Sequence, residues 1–397
     1  AMELAGVTRE TPDPSGGRIV RDNSGEAIGV FEERAMTIIT DAYQNFVQTL
    51  TPEKRYDEWL AGVREAEQES LKNGITSFQD AGTSFMELER YTRLAEQDSL
   101  NIRLWVMLRH PVDTLEAYPQ LLDDLPIIGA GRDFFTCRAI KSELDGALGS
   151  YGAWLLAPYQ DQPGFEGQNT TTVESVERIA QIAKNRNLQL CVHAIGDRAN
   201  REVLDIFEKN ITDTPEKKDL RWRIEHAQIV NEPDFKYYET VLPSVQPTHC
   251  TSDMYWAEKW IGKDRIKGAY AYKTLLKKAG IVVLGTDFPV EQVNPFLTFY
   301  AAIARQDLEK YPKDGFQIED ALSREETLKG MTIWAAKSTF EEDRKGSITV
   351  GKYADFILTD LDLMQDDFLK IREGKVNMYK ELEIGGFYSV SIGNDFN

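Results

Sequence analysis

The sequence predicts an α/β fold: the parallel sheet of a (β/α)8 TIM-like barrel with seven of its eight strands legible, followed by a small C-terminal β region. Three observations predict it. Short apolar runs alternate with amphipathic helical stretches, the pattern of a parallel sheet with crossover helices. Residues suited to chemistry stand at the ends of those runs, where a barrel opens. After residue 340 the pattern changes to alternating strand-like segments with glycine turns.

The elements follow in order. Residues 1–29 are rich in proline, glycine and charge, and Asn23-Ser24-Gly25 between "RIV" and "IGVF" predicts a hairpin turn. Helical patterns run through about 35–48 and 56–73. Strand candidates are 75–79, 102–108, 136–140, 188–194, 221–227, 243–247 and 281–286, with helical segments such as 172–186 and 199–209 between them and 295–310 and 323–340 after them. The segments "GSITVGKYADFILTDLDLM" and "KVNMYKELEIGGFYSVSIG" read as strands. So few strands seldom make a stable sheet alone, so this region is expected to need partners. The expected divisions are 1–55 for an N-terminal loop and helical segment, 56–340 for the barrel and 341–397 for the C-terminal β portion.

Composition narrows the function classes. The formal net charge of −19 argues against nucleic acid and anionic membrane as partners, since both require a cationic face. No apolar run approaches the roughly 18 residues of a membrane span. The N-terminus has no basic stretch followed by an apolar one, so no signal peptide is expected. Cys137, Cys191 and Cys250 are widely spaced with no CxxC, which disfavours disulfides and a cysteine zinc knuckle and fits a cytoplasmic location.

The chemistry-bearing residues converge on one end of the predicted sheet. Strand ends carry Asp80, His110, Lys141, His193, His226, His249 and Asp287, and they include all four histidines of the chain. Each residue also has an ordinary explanation. His193 and His226 suit satisfied core histidines, Asp287 could cap a turn, Lys141 could be a surface lysine, and His110 before Pro111 suits a turn. Together, His193, His226, Asp287 and Lys141 form an N/O donor set that suits zinc or a similar divalent ion. Such an ion lowers the pKa of its water and polarises a carbonyl, and the aspartate can take the water's proton.

Several motifs are similar to those of a known family. They are "AMELAGVTRETPDPSGGRIV", "AIKSELDGALGSYGAWLLAPYQD", "CVHAIGDRANREVLDIFE", "RIEHAQIV", "SVQPTHCTSDMYWAEKWIG", "VVLGTDFPVEQVNPFLTFYAAIAR" and "KGSITVGKYADFILTDLDL". In this order they resemble the metal-dependent amidohydrolase superfamily, in its amidohydrolase-3 (YtcJ-like) branch, from residue 1 to about 363. The resemblance implies a barrel with a small β-sandwich, of which 341–397 would be the C-terminal part, and it makes 1–55 a family insertion. It implies hydrolysis of an amide or other C–N bond of a small molecule by metal-activated water. It places His193, His226 and Asp287 as metal ligands, Asp287 also as general base, and Lys141 at the position that, when carboxylated, bridges two ions. It has His249 facing the substrate with a catalytic part and Asp145 near the same mouth; Asp145, Tyr151 and Trp256 are the further substrate-binding candidates. One or two ions, zinc or another divalent metal, are implied.

The sequence also departs from that pattern. The family's first strand carries His-x-His, and no such pair exists here, so a barrel lacking its first strand is expected. Tyr151 stands where the family's "GSRGA" has a basic residue. Loop aromatics Trp154, Tyr159, Tyr255, Trp256 and Trp260 suit either a pocket for a partly apolar substrate or ordinary packing. Two functions compete: a metal-dependent amidohydrolase, and a catalytically impaired barrel acting as a binding or assembly component. A deaminase or cyclic amidase would share the same metal chemistry. A homo-oligomer is compatible with either.

Overall fold

The computed structural model describes residues 1–14, 17–212, 219–380 and 391–392. The chain opens with the expected hairpin, β1 (Gly17–Arg21) antiparallel to β2 (Ala27–Glu33), followed by helices Met36–Thr49 and Pro52–Lys72. The main sheet then runs through β3 (Ser77–Thr83), β4 (Arg103–Leu108), β5 (Ile127–Gly129), β6 (Phe135–Glu143), β7 (Gln189–Ala194), β8 (Arg223–His226), β9 (Leu242–Val245) and β10 (Val283–Leu284). Its order is β10-β9-β8-β7-β6-β4-β3, all parallel, with the short β5 antiparallel on β6. The seven parallel strands are the seven that alternation predicts. Among the described residues β3 and β10 end the sheet without pairing to each other.

The sheet nevertheless curls. Arg223 on β8 donates to Gln79 on β3 at 2.8 Å, and its guanidinium lies over the Trp105 ring of β4. These strands are far apart in sheet order, so their side chains meet only across a concave interior. Alternation sorts the two faces. Val106, Leu108, Ile140, Leu190, Val192 and Ile224 pack into the main core under the helices. Trp105, Met107, Ala139 and Cys191 form a separate inner cluster, joined by the buried Lys141, Arg223 and Glu225. Between β4 and β6, Val106 pairs with Cys137 and Met107 with Ala139, so Arg138 is an extra residue on β6. That irregularity changes which alternate residues face inward and brings Lys141 to the interior.

The helices follow the same logic. In Val173–Asn185 the Thr172 hydroxyl caps the first turn, and Val176, Ile179, Ala180 and Ala183 make the buried stripe. Ser84 and Glu87 form a reciprocal capping box on Phe85–Glu96. His110 serves that same helix start: its Nε2 accepts from the Phe85 amide at 3.0 Å and its ring stacks on Phe85 at 4.4 Å, an ordinary structural use. The pattern at 323–340 resolves into two helices, Arg324–Met331 and Ile333–Ser338, broken at Thr332.

The C-terminal β region has β11 (Phe356–Thr359), β12 (Val376–Lys380) and β13 (Ser391–Ile392), antiparallel in that order. Much of its second predicted strand segment, 381–390, lies outside the described residues. Barrel contacts anchor it. Asp355 takes a bidentate pair from Arg103 of β4 at 2.7 and 3.1 Å, both groups buried, and Arg103 is sandwiched between Phe134 and Tyr353.

Candidate metal centre

The site is built at the C-terminal ends of β6, β7, β8 and β9 and just beyond β10. Parallel pairing fixes the levels: Lys141 lies beside Cys191, Glu143 beside His193, and Ala194 beside His226. His226 closes β8, Asp287 follows β10, and His249 stands in the helix Pro247–Asp253 that begins directly after β9. These three residues offer donor atoms that all lie within 4.8 Å of one another.

Backbone strain turns two of them into place. His226 has φ 77° and Asp287 φ 58°, left-handed values that a residue with a Cβ adopts at a cost of order 1–3 kcal/mol. By strand alternation His226 would follow Ile224 toward the helices. The left-handed turn redirects it to the mouth.

Hydrogen bonds then orient the rings. His226 Nδ1 meets Gln246 Oε1 at 2.8 Å, so with the amide oxygen accepting, Nε2 carries the lone pair. Burial lowers the His226 pKa to about 4, which keeps the imidazole neutral and competent to ligate. His249 lies between two carboxylates, Nε2 at 3.2 Å from Asp287 Oδ2 and Nδ1 at 3.3 Å from Glu291 Oε1. Burial opposes charge on this ring, but the hydrogen bonds to Asp287 and Glu291 outweigh it and raise its pKa to about 9. Burial likewise works against ionised Asp287, yet His249 and His226 hold it below the usual carboxylate range. Neutral His226 and ionised Asp287 are ready donors of the hard-to-borderline kind that a divalent ion takes, whereas His249, charged between its two carboxylates, can join them only by giving up its Nε2 proton. The group therefore fits these residues.

Of the remaining expected site residues, His193 meets the cluster directly. The His193 ring is edge-on to His226 at 4.4 Å, and His249 is stacked on the other side of His226 at 5.8 Å. His193 is outside the three-donor set; its Nε2 is 3.6 Å from Asp145 Oδ1, and burial with the neighbouring His226 pushes its pKa well down. Lys141 is buried, donates to the Ser142 carbonyl at 3.2 Å and lies 3.8 Å from Glu143; burial lowers its pKa. Asp145 is placed below the mouth, where its carboxylate accepts from the amides of Trp154 (2.8 Å), Ile195 (3.0 Å) and Gly196 (2.8 Å). That geometry ties the β6 loop to the end of β7 and leaves the side chain fully shielded from the cleft. Tyr151 stacks on Trp260 at 4.1 Å and donates to Asp161, while Trp256 packs on the same Trp260 at 4.2 Å.

Sequence reasoning passed over Glu291 and Gln246. Both had a signal: Gln246 precedes Pro247-Thr248-His249, and Glu291 lies four residues after Asp287.

A curled parallel α/β sheet with an N/O donor cluster at its C-terminal mouth places the chain in the barrel class, whose strand ends carry the chemistry. The comparisons carry this further. The model of the amidohydrolase family matches residues 1–378, and the chain belongs to that family. It is 29% identical over 389 residues to the protein YtcJ of Bacillus subtilis, covering 95% of this chain and 70% of that one. To the N-substituted formamide deformylase of Arthrobacter pascens it is 23% identical, covering 95% and 68%. The solved structure of an uncharacterized metal-dependent hydrolase from Pyrococcus horikoshii matches with a TM-score of 0.73 at 25% identity, covering 92% of this chain and 69% of that one. No helix among the described residues is long and apolar enough to cross a membrane.

Proposed function

We propose that the protein hydrolyses an amide or related C–N bond of a small molecule, with a divalent ion held by His226, His249 and Asp287. The observation that carries this reading is the convergence of these three donors within 4.8 Å at the sheet's C-terminal mouth. The deformylase relative, which acts on an N-substituted formamide by name, supports the C–N bond class.

When bound, the ion, zinc or another divalent metal, supplies an acidified water and polarises the substrate carbonyl. The chain's own residues do the rest. Ionised Asp287 accepts the proton of the attacking water at a carboxylate oxygen and returns it to the departing nitrogen as the C–N bond breaks, leaving a carboxylic acid and an amine. Neutral His226, fixed by Gln246, keeps a lone pair toward the cleft. His193, packed against His226, is the candidate for a further ligand. Lys141 is the candidate for carboxylation: its lowered pKa enlarges the neutral amine fraction that the modification needs. Tyr151, stacked on Trp260, and Trp256, tilted against the same ring, form the wall against which an apolar part of the substrate rests.

Among the described residues the outer edges of β3 and β10 have no strand partner, which favours a second reading, a barrel that works as a component of an assembly. One experiment separates the two. Purified protein is analysed for bound metal and assayed against a panel of N-formyl and N-acyl amines, with D287A as control. Bound divalent metal and turnover abolished in D287A support the hydrolase. Metal-free protein without turnover after zinc loading refutes it and leaves the second.

A further inference from the structure

We propose that Arg109 is a substrate-binding residue that takes a carboxylate on the acyl part of the amide, which makes the substrate class a monoamide of a dicarboxylic acid. This names the substrate of the hydrolase reading and rests on that reading. Alternation along three neighbouring strands puts Arg109 in the mouth. Met107 of β4, Lys141 of β6 and Cys191 of β7 are buried on the inner face of the sheet. Two residues further along each chain segment, the same face carries Arg109, Glu143 and His193. Arg109 stands one residue past the end of β4, and its amide still bonds the Thr83 carbonyl at 2.9 Å, so strand geometry holds there. These residues form the uppermost inner layer, the level at which a barrel meets its substrate.

The guanidinium is held at one end and open at the other. Nη2 donates to Glu143 Oε2 at 2.6 Å, while Nη1 lies over Gly82 of β3, 3.7 Å from where a Cβ would stand. Among the described residues Nε and Nη1 have no hydrogen-bond partner, and half of the side chain is exposed. A guanidinium carries five N–H donors in a planar fork, so with Glu143 on Nη2 it still has donors for a second carboxylate. Glu143 fixes the arm without being spent on it alone, since its Oε1 lies 3.8 Å from Lys141 Nζ. Arg109 is also close to the site: burial, joined by the Arg109 charge, lowers the pKa of both Lys141 and His193. The wall beyond β9 and β10, distant from β4 in sheet order, has the opposite sign, with Asp287 and Glu291 flanking His249. A carboxylate is repelled from that wall and attracted to Arg109. Because Asp287 serves the departing nitrogen, the acyl part is the half of the substrate that extends toward β4.

The test compares N-succinylbenzylamine, which carries its carboxylate on the acyl part, with its methyl ester and with the isomer N-propionylphenylglycine, which carries it on the amine part. Zinc-loaded wild-type protein should prefer the acid to the ester in kcat/KM by about 10–100-fold, mostly through KM, the worth of one hydrogen-bonded charge pair. R109M should abolish that preference and R109K should restore part of it, with folding checked by circular dichroism. A residue that merely braces the mouth would lower acid and ester alike, and an unchanged ratio in R109M overturns the proposal. A preference for N-propionylphenylglycine that R109M removes overturns the assignment to the acyl part. A second readout needs neither metal nor turnover: succinate, the acid released from the first amide, should bind metal-free wild-type protein about tenfold or more tightly than R109M in calorimetric titration. Equal binding overturns the Arg109 site and leaves the hydrolase reading standing. No turnover of any amide by zinc-loaded wild-type protein overturns the hydrolase reading itself.

Discussion

Replacing Asp145 by asparagine separates an anchoring role from a substrate-binding one. Its carboxylate is fully buried and accepts from three backbone amides, Ile195 on Oδ1 and Trp154 and Gly196 on Oδ2. An asparagine keeps the shape but replaces one oxygen with an NH2 group. Whichever way the amide turns, at least one buried N–H then faces another donor. Hydrogen bonds to a charged group contribute about 1.5–3 kcal/mol each, and a stranded buried donor costs a similar amount, so D145N should lose about 2–4 kcal/mol. Unfolding entropy of about 2.1 cal/mol/K per residue makes this a fall of roughly 2–5 °C in Tm for a chain of this length. D145A, which removes both acceptor oxygens and so all three hydrogen bonds, should fall further. The assay is thermal unfolding by circular dichroism beside steady-state kinetics. A D145N protein that melts like the wild type and shows only a raised KM would refute the anchoring argument.

Two further outcomes are expected. A Cβ added at Gly196 would lie 1.9 Å from the Trp154 carbonyl oxygen, so G196A must push that strand-end loop aside, at about 1–3 kcal/mol or more, read as a lowered urea midpoint. For the buried Arg223–Glu225 pair, at 2.5 Å, burial opposes the Glu225 charge, but Arg223, Ser244 and Lys141 outweigh it and lower its pKa. That stabilisation is fully present above the unfolded glutamate pKa of about 4.3 and is lost as pH falls through the lower folded value. E225Q, which strands Arg223, should therefore cost about 3–5 kcal/mol near neutral pH, with the gap to the wild type narrowing below about pH 4 in urea titrations. A gap that does not change with pH would contradict the sign.

Much of the fold was legible because the signals are local. The seven parallel strands and the Asn-Ser-Gly hairpin each depend on residues within a few positions of one another. The grouping of the four histidines at strand ends was legible for the same reason, because a strand's end is marked by its own sequence. Residue roles within the group were less so. The resemblance implied a ligand set containing His193 with His249 facing the substrate; the fold brings donor atoms of His226, His249 and Asp287 within 4.8 Å of one another and sets the His193 ring edge-on to His226 at 4.4 Å. Gly196 reads from sequence as a turn residue; its place is set by the close approach of the Trp154 carbonyl.

What the sequence by itself determined, then, is the alternation that makes the sheet and the level at which the titratable residues emerge from it. What only the tertiary structure decided is which of them meet. The left-handed turns at His226 and Asp287, the extra residue Arg138 in β6 and the curl that brings Gln79 to Arg223 carry no periodic signature. They are set by packing between segments distant in the chain, and the donor geometry of the site depends on them.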